Sequence, residues 1–445
     1  MTTTPALWSA QAHMPSITGR QIVVTVGRGA YLTTESGQRL FDGTAGLWHT
    51  SIGHGREEMA QAAYEQIATL ETSHIFGRYV NDRAVELAER LVAISPIDDA
   101  KVILNSGGSD AIDVACKLVR RYWTWAGKPE KRTIISREHA YHGIHTYGTS
   151  IAGLQFNRDG YGVDSLVPDT LRVPKHDLAA LEAEILRVGP ERIAAYIAEP
   201  VMGSGGVHPP QEGYFAGVKE LCRAHDILFI ADEVITGFGR TGEMFASDRY
   251  DLEPDIVTFA KGVTSGYGAL GGIYVAPRLW EPFFDRGAES PVFRHGNTYS
   301  GHATNAALAL KNLEILERED LVARAAELER HLAALLDGIA SHELVAETRV
   351  GGLLGGVELM DSVSAEAVTD RVIELGFITR PLFGNTIQIS PPFVSTDREL
   401  TDLVGAIREV LDEQETAAPA PAMRDRLGAR RDPASDPVAA SAGSR

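Results

Sequence analysis

The sequence predicts an α/β fold, in which helices flank a mostly parallel sheet and the N- and C-terminal parts form a smaller α+β domain. The prediction rests on three short apolar runs that each end in a charged residue, namely Glu199, Asp232 and Lys261. Apolar runs of this length are typical of strands buried on both faces of a parallel sheet. Ligands bind at the carboxyl ends of such strands, and a buried charge is costly unless it is paired. We therefore expect the three charges to meet around a bound, flat, charged cofactor.

The N-terminal elements come first. Residues 1–20 are polar and irregular. Strand-forming and turn-forming residues alternate over 21–42, which predicts a small antiparallel unit. The glycine-rich stretch 43–55 carries Trp48 in a loop. Helical spacing of apolar residues then indicates two helices, over 56–71 and 81–93.

Strands alternate with helices from about residue 101 to about 276, which is typical of a parallel-rich α/β domain. The helix over 214–224 joins the Glu199 strand to the Asp232 strand, as a crossover between parallel strands must. The other elements predicted in this block are strands at 102–104 and 133–135 and helices at 111–122 and 178–186.

The pattern of the C-terminal part predicts a second, smaller α+β unit. Thr396 and Glu399 have the spacing of a capping box, which predicts that a last helix begins there and runs to about residue 414. The other predicted elements are helices at 302–317 and 320–340 and strands at 350–360, 377–379 and 386–389. We expect a small-domain segment at 1–60, a large domain at 61–300, a second small-domain part at 301–415 and a disordered tail at 416–445.

Composition limits the class of protein. The 60 acidic and 42 basic residues give a formal net charge of −18, which argues against nucleic-acid or membrane partners. Cys116 and Cys222 fall in predicted helices, which favours reduced core thiols. No apolar run has the length of a membrane span, and the N-terminus has no signal-peptide core. We therefore expect a soluble cytoplasmic protein.

A glycine-containing loop lies between a predicted strand and a predicted helix. Its two glycines allow the backbone to approach an anion, and the helix start supplies free N–H groups and partial positive charge. The alternative is a plain helix cap made by the Ser109 or Asp110 side chain. The loop comprises Ser106, Gly107, Gly108 and Ser109.

Two further motifs suggest chemistry that the sequence does not support. Residues 237–242 match the G-x-G-x-x-G pattern, but five residues separate the strand from its first glycine, so a dinucleotide site is not expected. His139, His142 and His145 are three residues apart, but Gly143 weakens a continuous helix there. No Cys or carboxylate has metal-site spacing to them, so no metal is expected.

Lys261 is the most informative residue. A lysine is seldom buried without a partner, and in a dry site its pKa falls, so that the neutral amine attacks carbonyl carbons to form a Schiff base. The alternative is a lysine that extends to solvent at the sheet edge. Asp232 favours the first interpretation, because a carboxylate beside a pyridine nitrogen keeps that nitrogen protonated. Phosphate loop, acid and lysine on one sheet together predict pyridoxal phosphate.

With these motifs in place, the chain resembles the class III (ω-amino acid:pyruvate type) aminotransferases of pyridoxal-phosphate fold type I. The resemblance extends from about Trp8 to about Leu411 and implies a mostly parallel, seven-stranded type of sheet. It implies that the Ser106–Ser109 loop holds the phosphate and that Lys261 forms the Schiff base. The resemblance also implies roles for the remaining cofactor residues. Tyr141, in Tyr141-His142-Gly143, would stack on the cofactor ring, and Val234 would pack beneath it. Asp232 would bind the ring nitrogen, and Glu199 would support Asp232.

The resemblance also implies partners. Thr298 is similar to a threonine that reaches the phosphate of the other subunit's cofactor, which implies a homodimer with shared active sites, while pairing into tetramers stays open. Trp48, Phe76, Tyr141 and Arg380 are the implied substrate-binding residues. Arg380 lies near the position of a mobile arginine that binds the acceptor's carboxylate. A surface arginine at a strand end is the alternative.

The function implied is an ω-aminotransferase. It would move an amino group from a primary amine or ω-amino acid to an α-keto acid, with pyruvate as the first candidate, by a ping-pong mechanism. Other reactions on the same constellation are alternatives: an aminomutase, a dialkylglycine-type decarboxylase, a phospho-lyase, or amination of a carbonyl in specialised biosynthesis. A non-catalytic binding protein on this fold would be expected to have lost Lys261 or Asp232, and both are present.

Overall fold

The computed structural model of the protein describes residues 6–287 and 290–416, apart from the side chains of residues 163 and 164. The strands are β1 (Val24–Arg28), β2 (Tyr31–Thr34), β3 (Arg39–Asp42), β4 (Lys101–Asn105), β5 (Thr133–Arg137), β6 (Thr170–Val173), β7 (Ile193–Ala198), β8 (Leu228–Asp232), β9 (Ile256–Phe259), β10 (Gly271–Val275), β11 (Val345–Val350), β12 (Gly355–Leu359), β13 (Phe377–Ile378), β14 (Arg380–Leu382) and β15 (Thr386–Ile389). The helices are α1 (Met14–Ile17), α2 (Ala45–Trp48), α3 (Glu57–Leu70), α4 (Asp82–Ala93), α5 (Gly108–Trp125), α6 (Thr146–Ile151), α7 (Val163–Leu166), α8 (Leu178–Val188), α9 (Tyr214–Ala224), α10 (Ala246–Arg249), α11 (Pro277–Phe284), α12 (Ala303–Arg318), α13 (Leu321–Asp337), α14 (Ala365–Glu374) and α15 (Asp397–Thr416).

The largest sheet has seven strands in the order β4-β10-β9-β8-β7-β5-β6. Neighbouring strands are parallel from β9 through β8, β7 and β5 to β6, whereas β10 runs antiparallel to both β4 and β9. The mostly parallel sheet predicted from the apolar runs is therefore confirmed. The reversed strand β10 and the edge strand β6 are elements that the sequence analysis did not identify.

Helices cover both faces of this sheet. In β8, Leu228 and Ile230 pack in one hydrophobic cluster with α5, whereas Phe229 and Ala231 pack in a second cluster with α9. Because successive strand residues point to opposite faces, both faces of β8 are buried, and its residues are apolar up to the terminal Asp232. The crossover helix α9 occupies the predicted range, and its Cys222 is buried and unpaired, as is Cys116 of α5.

Two smaller sheets flank the large one. The antiparallel unit predicted over 21–42 is confirmed as β1-β2-β3, and β13 adds to it in parallel beside β3. The N- and C-terminal parts of the chain thus share one sheet. The second small sheet has the order β11-β12-β15-β14.

The single strand predicted over 350–360 is confirmed only at Gly355–Leu359, which forms β12. The chain instead forms an antiparallel pair, β11 and β12, with residues 351–354 in the connection. The capping box is confirmed: Thr396 N donates to Glu399 Oε2 over 2.8 Å, and Glu399 N donates back to Thr396 Oγ1 over 3.2 Å.

The predicted domain boundaries at 60, 300 and 415 stay predictions. Apart from Thr416, the predicted tail lies outside the described residues. Within residues 6–287 and 290–416, no helix combines the length and the apolar character needed to cross a bilayer.

Candidate active site

A cavity of about 410 Å³ opens where the adjacent strands β7, β8 and β9 end. We call it the strand-end cavity and define it by Glu199, Asp232 and Lys261, the residues that follow or end these strands, together with the start of α5. The structure thus brings the three predicted charges to one site. Its volume lies in the range of small-molecule sites, which is about 300–1,000 Å³.

Asp232 is held rigidly at the end of β8. Its Oδ2 lies 2.7 Å from His142 Nδ1, and its Oδ1 accepts from Thr258 Oγ1 over 3.0 Å and from Val234 N over 3.2 Å. Thr258 faces Asp232 directly across the β8–β9 pair. Buried carboxylates need such partners, and these contacts fix the direction in which the Asp232 carboxylate faces the cavity.

Lys261 follows β9 at the start of a short 3₁₀ turn, Lys261–Val263. Asn312 of α12 is fully buried and donates to the carbonyls of Gly262 and Val263 over 2.9 and 3.0 Å, which anchors this turn. Burial lowers the pKa of Lys261 to about 8, although Asp232 and Glu199 act in the opposite direction. A substantial fraction of the amine is therefore neutral near neutral pH, as a nucleophile or general base requires.

Glu199 joins two loops at the cavity. One carboxylate oxygen accepts from Tyr141 N over 3.1 Å and the other from Gly203 N over 3.0 Å. Burial raises the pKa of Glu199, while His142 and other neighbours oppose that rise. Glu199 therefore positions the backbone before His142, whose ring contacts Asp232, and supports the aspartate through that histidine.

The glycine-containing loop leads directly into α5, which begins at Gly108. The helix has no side-chain cap: Ser109 Oγ instead accepts from Ile144 N over 3.1 Å, and an Asp110 carboxylate oxygen accepts from Ser106 N over 3.2 Å. The first N–H groups of a helix have no partner within it, so they are available to an anion. The alternative, a helix start capped by the Ser109 or Asp110 side chain, is therefore not what the structure shows for α5.

Val234 and Gly108 fit closely together on the cavity wall. A Cβ added to Gly108 would lie 2.8 Å from Val234 Cγ1. Only glycine leaves space for the valine at this approach of loop to strand end. The valine methyl groups thus form an apolar floor between the helix start and Asp232.

Four predicted residues lie outside the lining of the strand-end cavity. Thr298 is exposed, and Phe76 is 47% exposed, with its ring beside Gly296 in the same loop as Thr298. Trp48 is buried against a small cluster that includes Ile235, a cavity-lining residue. The Arg380 guanidinium stacks over the Trp48 ring, 4.4 Å from its centroid.

Three residues of the site were not predicted from the sequence, namely Thr258, Asn312 and His49. His49 lines the cavity, and its Nδ1 accepts from Leu47 N over 3.2 Å, so the neutral ring carries its proton on Nε2. Burial lowers the pKa of His49, which keeps the ring neutral. Gly266, at φ +82°, makes room for this ring, since an added Cβ would lie 2.3 Å from His49 Cδ2. The sequence feature that could have indicated His49 is its position next to Trp48 in the glycine-rich stretch.

The three histidines spaced three residues apart have separate partners. His142 contacts Asp232, His145 lies 3.4 Å from an Asp110 oxygen, and the His139 ring packs against Phe383 at a centroid distance of 4.6 Å. These rings do not share a common centre.

The geometry fits pyridoxal phosphate. The Asp232 carboxylate suits a protonated pyridine nitrogen, the start of α5 suits a phosphate, and the Lys261 amine suits an aldehyde carbon. Val234 offers an apolar surface for the ring between them. Fold and site together define the class of protein, a pyridoxal-phosphate enzyme built on an α/β sheet.

Comparison with known proteins identifies the family. A family model described as Aminotransferase class-III matches residues 14–411. The chain therefore belongs to the class III aminotransferases, which are pyridoxal-phosphate-dependent enzymes. The predicted fold class, cofactor and enzyme class are confirmed.

Individual relatives cover nearly the whole chain. It is 35% identical to a putrescine–pyruvate aminotransferase of Pseudomonas aeruginosa over 445 residues, 92% of this chain and 96% of the relative. It is 34% identical to a diaminobutyrate–2-oxoglutarate transaminase of Halomonas elongata over 428 residues, 88% of this chain and 91% of the relative. The crystal structure of the omega transaminase from Pseudomonas jessenii in complex with PMP superposes with a TM-score of 0.88 at 32% identity, covering 92% of this chain and 96% of that one.

Proposed function

We propose that this enzyme is an ω-aminotransferase that moves an amino group from a primary amine or ω-amino acid to an α-keto acid, with pyruvate as the first candidate acceptor. The two half-reactions use the same cavity in a ping-pong sequence. The observation that carries the proposal is the placement of the Lys261 amine, with its pKa of about 8, in one cavity with the Asp232 carboxylate. The similarity to a putrescine–pyruvate aminotransferase supports the choice of donor and acceptor.

Bound pyridoxal phosphate supplies an electron sink that stabilises negative charge on the carbon next to the amino group. Asp232 keeps the ring nitrogen protonated, and the partners of Asp232, namely His142, Thr258 and Val234 N, hold its carboxylate in place. Lys261 Nζ would accept and return the proton at the donor's amine-bearing carbon, since it lies in the same cavity as Asp232. A pKa of about 8 suits both directions of this transfer.

We propose that Arg380 binds the carboxylate of the keto acid. Burial lowers the pKa of Arg380 to about 10, so it keeps its positive charge near neutral pH. Within the described part of the chain, no carboxylate lies within ion-pair distance of it. A largely buried cation without an acidic partner is costly, and a substrate anion would pair with it. Trp48 stacks on its guanidinium and thereby shapes this end of the site.

We propose a homodimer in which Thr298 and Phe76 complete the partner's site. Both lie outside their own cavity, and the surface around them exposes large apolar side chains that a partner would cover. These are Phe76, Tyr79, Val80 and Tyr299, each between 47% and 64% exposed. The buried, unpaired cysteines fit a reducing compartment, the cytoplasm.

Mixed dimers test the shared site. Chains carrying Lys261→Ala are co-expressed with chains carrying Thr298→Asp, whose added charge repels a phosphate. If the proposal holds, each variant alone has little activity, and the purified mixed dimer regains up to about half, because one of its two sites has both native residues. Mixed dimers as inactive as both parents would place Lys261 and Thr298 in the same chain's site.

Product analysis tests the reaction itself. The enzyme is incubated with 1-phenylethylamine or β-alanine and with either pyruvate or 2-oxoglutarate. Formation of alanine together with the keto product of the donor supports the proposal. Formation of glutamate instead would reassign the acceptor. Turnover without any keto acid would point to a mutase or lyase, and release of CO2 would point to a dialkylglycine-type decarboxylase.

A further inference from the structure

Arg380 is held in place by Gln388, a buried residue of β15. Arg380 and Gln388 face each other across the antiparallel pair β14–β15, and Arg380 Nε donates to Gln388 Oε1 over 3.1 Å. The Trp48 ring covers the guanidinium face. Arg380 is therefore fixed on one edge by an amide and on one face by an aromatic ring.

Gln388 is itself locked in orientation. It is fully buried, and its Nε2 donates to Ser390 Oγ over 2.6 Å. The Ser390 hydroxyl donates onward to Thr44 O over 3.5 Å, so its lone pairs accept from Gln388. Because Nε2 is used in this way, the amide oxygen of Gln388 points to Arg380. The same network ties β15 to the glycine-rich stretch that carries Trp48, since Ser390 N donates to Gly43 O over 2.7 Å.

The tether is neutral and uses only one guanidinium donor. Arg380 has five N–H donors, and the Gln388 contact occupies the one on Nε. Among the residues that the structure describes, none accepts a hydrogen bond from the terminal nitrogens, so these paired donors, which suit a carboxylate, are left for another acceptor. A glutamate at position 388 would instead neutralise the charge and compete with the substrate.

We propose that Gln388 is a positioning residue for Arg380 that sets the enzyme's preference for carboxylate-bearing over carboxylate-free substrates. It holds the guanidinium in place while leaving its charge unpaired for a keto-acid or ω-amino-acid carboxylate. A single neutral hydrogen bond is weak enough for the arginine to leave when the substrate has no carboxylate. The inference rests on the proposed role of Arg380 and extends it to a residue that contacts no substrate.

The test compares two acceptors with one donor. With 1-phenylethylamine as the amine, kcat/KM is measured for pyruvate and for butanal, and their ratio is taken as the carboxylate preference. Gln388→Glu should lower this ratio about tenfold or more, chiefly through a higher KM for pyruvate, because the new carboxylate pairs with Arg380. Gln388→Met keeps the side-chain volume but removes the hydrogen bond, and it should lower the ratio about two- to tenfold.

Two further variants make the outcome decisive. Gln414→Glu makes the same chemical change on the exposed end of α15 and should leave the ratio as in the wild type. Arg380→Met tests the underlying role directly. If Arg380→Met lowers the ratio but both Gln388 variants match the wild type, the inference about Gln388 is wrong and the role of Arg380 stands. If Arg380→Met leaves the ratio unchanged, both are overturned.

If Gln388→Glu fails to fold, as loss of bound-cofactor absorbance would show, Gln388→Met decides the question. A purely structural role for Gln388 would lower kcat/KM for pyruvate and butanal by the same factor, so the ratio would stay constant. That result would also overturn the proposal.

Discussion

Raising the pH through about 8 should speed the covalent attachment of pyridoxal phosphate to the cofactor-free enzyme. In the proposed mechanism, the neutral amine of Lys261 would be the nucleophile in this step. Burial, with a smaller contribution from the positive charge of Arg380, lowers the pKa of that amine to about 8, because Asp232 and Glu199 only partly offset the burial. The reactive fraction therefore grows with pH up to about 8 and levels off above it.

The size of the effect follows from the two pKa values. At pH 7, a lysine with a pKa of about 8 is neutral in roughly one molecule in ten, whereas a pKa of 10.5 leaves roughly one in three thousand neutral. The site thus raises the reactive fraction about 300-fold. Attachment at neutral pH should be faster by a similar factor than for an ordinary lysine amine, before any gain from binding.

The assay follows absorbance at about 410 nm, where a pyridoxal Schiff base absorbs, after pyridoxal phosphate is added to cofactor-free protein. Rates are measured over pH 6–11 at constant ionic strength. Nα-acetyl-lysine in the same buffers corrects for the titration of pyridoxal phosphate itself. Asp232→Asn is a useful companion variant, because loss of the negative charge should move the midpoint of the pH profile lower.

A corrected profile with its midpoint near 8 supports the account of Lys261. A midpoint near 10.5, coincident with that of Nα-acetyl-lysine, would refute it, because the lysine would then be solvated rather than buried. A profile without any dependence on pH would refute it as well.

Three further changes, with one control substitution on α15, test other parts of the site. Lys261→Ala should lower turnover at least about a thousandfold yet leave some cofactor bound without a covalent bond, as dialysis and absorbance would measure; turnover close to that of the wild type would contradict the role of Lys261. Gly108→Ala should weaken cofactor binding about tenfold, because the new Cβ would lie 2.8 Å from Val234 Cγ1. Gly405→Ala meets open space on α15 and should instead raise the free energy of unfolding by about 0.5–1 kcal/mol with cofactor affinity unchanged. Asn312→Ala should lower the free energy of unfolding of the cofactor-free protein in urea by about 1–3 kcal/mol, because the carbonyls of the Lys261 turn lose their donor. An unchanged unfolding midpoint would show that the turn is stable without Asn312.

The sequence was most informative where a strand is buried on both faces. In such strands every residue is apolar, so a charge at the end stands out, and Asp232 and Lys261 could be identified without structural data. The α9 crossover and the capping box at Thr396 could also be predicted from the sequence, because the local spacing of residues determines them. The residues that support the charges could not be found in this way. Thr258 and Asn312 are single polar residues in apolar segments, and only the fold brings them to their partners.

The direction of a strand and the contacts with a second chain also could not be predicted from the sequence. Nothing in the local pattern of Gly271–Val275 indicates that β10 runs against its neighbours, because a side-chain period is the same in both directions. The apolar residues through 350–360 concealed a hairpin, although Gly351 and Gly352 offered a turn signal. The roles proposed for Thr298 and Phe76 involve a second chain, so neither one sequence nor one chain's geometry establishes them.

The most direct test of the central claim is the absorbance spectrum of the purified protein, recorded alone, after excess 1-phenylethylamine or β-alanine, and again after pyruvate. We expect a band at about 410 nm that the amine removes and pyruvate restores, because in the proposed mechanism Lys261 would hold the cofactor covalently until an amine replaces it. A band that no amine removes would keep the cofactor assignment and contradict the proposed donors. No band, even after pyridoxal phosphate is added, would contradict the assignment of Lys261 and Asp232 to this cofactor.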